Sequence, residues 1–176
     1  MEWRDLIEQN INSAYPIADN LIRMVDDDML DWKPETGDNW MTTRQLLRHL
    51  VESCGTACRG FVTGDWGLPE GYDANELTPE DMMLTAENMP MVNSVDEALA
   101  LLREDRELAL EMLAATSDGD LREKSAPAPW DPRPLNLGFR LLQMVDHLNA
   151  HKSQLFYYLK LRGKPVHTGH LWGGEV

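Results

Sequence analysis

Apolar side chains recur at intervals of three and four through four long stretches of the sequence, and the segments between them hold nearly all the glycine, proline and tryptophan. A period near 3.6 makes each stretch an amphipathic helix whose apolar stripe must be buried against another element. The first runs from about Glu2 to Asp27, with Trp3, Leu6, Ile7, Ala14, Ile17, Leu21 and Val25 on one face and Pro16 predicted to kink its middle. A loop from Met29 to Met41 leads to Thr42, which opens T-x-x-Q with Gln45, a capping box. The spacing of Leu46, Leu47, Leu50, Val51, Cys54, Ala57, Cys58 and Phe61 then predicts one helix from Thr43 to about Val62. Ser94 and Glu97 form a second capping box for a third helix ending near Gly119, and Asn136 starts a fourth, closed by Gly163 and Pro165. The long stretch from Gly64 to Asn93 reads as irregular, with a short helix at Thr78-Pro79-Glu80-Asp81. Pro127 to Pro134 reads as a loop and the tail from Val166 to Val176 as irregular. With no period-two strand, the expected fold class is all-α, a four-helix bundle with long irregular loops.

The 176 residues suffice for one domain, 1–176, with a core that needs no disulfide staples. Asp and Glu number 30 against 16 Lys and Arg, and a net charge of −14 repels phosphate backbones and anionic lipid, so no nucleic acid and no membrane is expected as partner. Cys54 and Cys58 lie four apart within one apolar stripe, which fits buried, reduced thiols in a cytoplasm. No apolar run approaches the length of a membrane span, and the first residues lack a basic region followed by an apolar core, so the expected location is cytoplasmic.

His147-x-x-x-His151 is the strongest chemical signal. Residues four apart on a helix are rotated by about 40° and rise about 6 Å, so two imidazoles can converge on one cation. The same spacing also suits two half-solvated histidines at the edge of the Leu stripe, in line with Gln154 and Tyr158. In the second helix His49 shares a face with Gln45, Glu52, Ser53, Thr56 and Gly60, which is either a solvent face or the border of a cleft. A third imidazole from there would complete three protein ligands with a position left open. Leu148 stands where a zincin protease carries its glutamate, and the chain has no E-x-x-H of the di-iron bundles. His167-x-x-His170 in the tail is a weaker metal candidate, since no predicted helix fixes its geometry.

Trp32-Lys33-Pro34, then Trp40, Leu46-Leu47-x-His49-Leu50, His147-x-x-x-His151-Lys152-x-Gln154 and Arg162-Gly163-x-Pro165 follow one another in an order that resembles the DinB/YfiT-like superfamily over nearly the whole chain. The resemblance implies a four-helix bundle, often a homodimer, in which three histidines, here His49, His147 and His151, hold a divalent metal such as Zn, Ni or Fe. It also implies relatives among transferases and isomerases that use a low-molecular-weight thiol such as bacillithiol or mycothiol. The stretch from Gly64 to Asn93 and the histidine-containing tail are individual to this chain, so no substrate carries over. The functional expectation is a metal-dependent transferase or hydrolase acting on a small electrophilic molecule, the metal lowering the pKa of a bound water or thiol. Glu52, three residues after His49, is the candidate general base, with a solvated helix glutamate as the alternative. Gln154 is expected to orient a ligand histidine or the substrate. Trp32, Trp40, Trp66, Trp130 and Trp172 either wall an apolar pocket over the metal or seal the bundle ends. The competing expectation is a non-catalytic ligand-binding or stress-response dimeric module whose metal site is structural or empty.

Overall fold

In the computed structural model, which describes residues 2–68 and 84–173, all four periodic stretches are helical. Among the described residues there is no strand, only two isolated bridges that join Ser125 to Asn136 and Ala128 to Asp131. The helices are α1 (Trp3–Ile22), α2 (Thr43–Leu50), α3 (Gly55–Thr63), α4 (Val95–Ala114), α5 (Asp118–Glu123), α6 (Leu137–Leu161) and α7 (Thr168–Trp172). α1 runs through Pro16 without interruption. Helix starts follow their caps: the Thr42 N–H donates to Gln45 Oε1 at 2.8 Å, Ser94 Oγ accepts from Glu97 N at 3.1 Å, and Asn136 Oδ1 accepts from Phe139 N at 2.8 Å. The left-handed Gly163, φ +75°, follows the end of α6.

α1 packs against α4 and α6, α3 packs against the same two helices, and α2 lies along α6, which closes the apolar stripes around one core. Ile7, Ile11, Leu21, Leu50, Leu102, Leu141, Leu148 and Leu155 are all buried there. No described helix is long and apolar enough to cross a membrane. The short helix expected at Thr78 to Asp81 lies outside the described residues.

The second stretch departs from expectation: it is two helices, broken from Val51 to Cys54. The cause lies on α4. Asp105 is buried, and its carboxylate accepts the first free N–H groups of α3, from Gly55 at 3.0 Å and Thr56 at 2.9 Å, together with the Thr56 hydroxyl at 3.3 Å and the Tyr15 hydroxyl at 2.7 Å. An acceptor aimed at those groups favours starting a new helix over continuing the old one. Gly55 makes the approach possible, since a Cβ there would lie 2.0 Å from the Asp105 carbonyl oxygen. Three further boundaries move, the first being the end of α1 at Ile22, short of Asp27. α4 stops at Ala114, before Gly119, because Ser117 and Asp120 form a capping box of their own and start α5. The tail is not wholly irregular: His167 Nδ1 accepts from Gly169 N at 3.1 Å and caps α7, which ends at the left-handed Gly173.

Candidate metal centre

His49 sits in the last turn of α2, and His147 and His151 on consecutive turns of α6, the helix against which α2 packs. Ring centroids are 5.1 Å apart for His49 and His147, 4.3 Å for His49 and His151, and 4.7 Å for His147 and His151. One potential ligand nitrogen from each ring lies within 4.8 Å of the other two. Hydrogen bonds orient two of the rings. His147 Nδ1 lies 3.1 Å from the Ser53 carbonyl oxygen, which can only accept, so the proton sits on Nδ1 and Nε2 keeps its lone pair. His151 Nδ1 is 3.1 Å from Gln154 Oε1, an acceptor that selects the same tautomer. Ser53 belongs to the break between α2 and α3, so Asp105 shapes the segment that orients His147.

All three rings are half-buried, and burial is the main force on their protonation. Burial, then the neighbouring His151 and His147, pulls His49 down to about 3. Burial and His151 pull His147 down to about 4 against the opposing bond to Ser53. Burial lowers His151 as well, opposed by Gln154. At neutral pH the cluster is therefore three uncharged imidazoles held together, a donor set that fits a borderline divalent cation such as Zn, Ni or Fe better than the oxygen-seeking Mg or Ca.

Glu52 is not among the side chains brought within 4.8 Å of one another; its carboxylate pairs with Arg48 one turn back. Gln154 is beside the cluster through His151. A cavity of about 530 Å³ adjoins the centre, lined by His49 and His147 together with the apolar Met41, Met89, Pro90 and Trp130. The five tryptophans expected in loops divide. Trp130 walls this cavity, Trp66 meets Phe61 and Trp130 edge-on, Trp32 and Trp40 meet Tyr158 edge-on, and Trp172 is exposed at the end of α7. Cys54 and Cys58 are free and buried, apart from the histidines. His167 and His170 meet edge-on with ring centroids 4.2 Å apart, with no third ligand among the described residues.

Sequence reasoning placed Ser53 on the His49 face and missed its role toward His147, which runs through the main chain and so leaves no side-chain signal; it also missed Arg48, whose spacing of four before Glu52 did announce an ion pair. The sequence profile of the DinB superfamily matches residues 8–155. The chain belongs to the DinB superfamily. The match takes in His49, His147, His151 and Gln154 and stops short of His167 and His170. No curated protein and no solved structure matches the chain. DinB proteins are metal-binding, and His49, His147 and His151 are a group of side chains that could hold a metal ion.

Proposed function

We propose that this DinB protein is a divalent-metal-dependent enzyme acting on a small electrophilic molecule, as a thiol-dependent transferase or a hydrolase, with His49, His147 and His151 as the metal ligands. One observation carries the reading: two of the three imidazoles line a cavity large enough for a small molecule, so a cation bound to the cluster would be open to that cavity. When bound, the cation supplies Lewis acidity to a donor arriving from there. The chain's own residues do the rest. Ser53 and Gln154 hold two ligand rings in the tautomer that leaves Nε2 free, and Met41, Met89, Pro90 and Trp130 give the cavity an apolar wall. Glu52, once released from Arg48, is the group we assign to proton transfer. The two buried thiols, unbridged, support a cytoplasmic setting.

The test is metal analysis of protein purified without a tag or added metal. The expected content is about one divalent ion per chain, since few other ligands compete with three imidazoles. His147→Ala or His151→Ala should lose the ion, and His167→Ala or His170→Ala should keep it. Metal that stays substoichiometric and indifferent to His151→Ala overturns the site. Consumption of a small electrophile with a thiol present, abolished by a chelator and restored by the metal, then tests the reaction. The pairing of Glu52 with Arg48 favours a second reading, a metal-dependent ligand-binding module without turnover. Ligand binding with no consumption of substrate would select it.

A further inference from the structure

Trp130, the aromatic wall of the cavity, lies in the segment between α5 and α6, where no helix stiffens the chain. One side chain replaces that stiffness. Arg140, on α6, is fully buried at 0% exposure. Its Nε donates to the Ala126 carbonyl at 2.9 Å. Nη1 donates to Asp131 Oδ2 at 2.9 Å and to Gln143 Oε1 at 3.0 Å, and Nη2 to the carbonyls of Asp131 at 2.9 Å and Arg133 at 3.0 Å. All five guanidinium N–H groups are thus engaged.

The pattern is not that of a charge being neutralised, because one bond to Asp131 would do that. Three of the five bonds go to main-chain carbonyls on both sides of Trp130, and the Ala128 to Asp131 bridge closes the turn between them. The planar fork therefore acts as a template for the path of this segment. On its other side the guanidinium lies over the Phe61 ring at 5.7 Å, and Phe61, Trp66 and Trp130 meet one another edge-on. Gly60 admits Trp66 to this group, as a Cβ would lie 2.2 Å from the indole.

We propose that Arg140 is a positioning residue whose five hydrogen bonds fix Trp130 as the cavity wall and so set which apolar substituent a ligand of the metal centre can carry. The positioning follows from Arg140 and Trp130 alone, while the consequence for a ligand rests on the function proposed above. Fluorine NMR of fluorotryptophan-labelled protein tests the positioning without metal or activity, Trp130→Phe assigning the signal. In Arg140→Lys the Trp130 resonance should shift or broaden, with Trp66 following, while Trp32 and Trp40 on the Tyr158 side stay in place. Asp131→Asn makes the same test should Arg140→Lys fail to fold. The ligand consequence is read by titrating imidazole and phenylimidazole into cobalt-loaded protein and following the metal's absorption. Trp130→Ala should weaken phenylimidazole by about tenfold, the worth of one aromatic contact, and leave imidazole unchanged. Arg140→Lys should act in the same direction. An unmoved Trp130 resonance in both Arg140→Lys and Asp131→Asn, or equal weakening of the two ligands, overturns the proposal. Failure of cobalt to bind refutes the proposed function instead, and the fluorine spectrum alone then decides the positioning.

Discussion

Replacing Asp105 with asparagine asks whether a carboxylate on α4 is what breaks the second helical stretch. In the wild-type protein Oδ2 accepts from the Tyr15 hydroxyl and Gly55 N, and Oδ1 accepts from Thr56 N and its hydroxyl. Asparagine keeps one oxygen and turns the other into an NH₂ group that faces donors. Each buried donor left without an acceptor costs about 1–3 kcal/mol. The Tyr15 hydroxyl can rotate to accept, and the buried charge is gone, so the net loss should be about 2–4 kcal/mol. For a chain of this length that is a fall in Tm of about 5–15 °C. Urea unfolding followed by circular dichroism should show the midpoint falling with its slope unchanged. Tyr15→Phe in both backgrounds then isolates the pair: its cost should shrink by about 1 kcal/mol once Asp105 is asparagine. Because the same break carries Ser53, whose carbonyl orients His147, zinc affinity should fall by about tenfold as well. A stability loss below about 0.5 kcal/mol refutes the capping argument. Full loss of stability with intact zinc affinity refutes its extension to the metal centre.

Burial keeps His49 near 3 and His147 near 4, below the usual 6.5, so unfolded chains take up protons where the folded metal-free protein does not. Metal-free stability should be full above pH 6.5 and fall as the pH drops toward 4, a slope that denaturation midpoints would show and that His49→Gln should flatten. Gln154→Ala removes the acceptor on His151 Nδ1 and should weaken zinc by about tenfold, measured by competition with a chromogenic chelator, while the midpoint of unfolding stays put. Glu52→Gln should keep the metal and slow turnover, and an unchanged rate removes the carboxylate from the reaction. Duplex DNA should show no micromolar binding in near-physiological salt, given the net charge of −14.

The all-α fold was legible because burial along a helix is a local, periodic property: the stripe from Leu46 to Phe61 and that from Leu137 to Leu159 report which faces are inside whatever the partners are. The break at Val51 to Cys54 was not legible, since its cause is a carboxylate fifty positions away in the chain and a hydroxyl on α1. The stripe crosses the break almost in phase, so the period carries no mark of it. The same segment carries Glu52, which a helical wheel places beside His49 on a continuous helix; α2 ends at Leu50, and the Glu52 carboxylate is paired with Arg48. The wheel could show His147 and His151 on one edge of α6 and His49 on a separate face of its helix; that these faces meet is a property of how α2 packs on α6, which no spacing within either encodes. Trp130 repeats the lesson from the loop side. Its residue type suggested a wall, and its place depends on Arg140, a charge in an otherwise apolar helix face that reads as surface until its five hydrogen bonds are seen. Asp105 and Arg140 carry no chemistry in the proposed reaction. Both are buried charges satisfied by main-chain groups of segments that lead to the site, so substitutions at either should reach the metal centre and its cavity through the backbone.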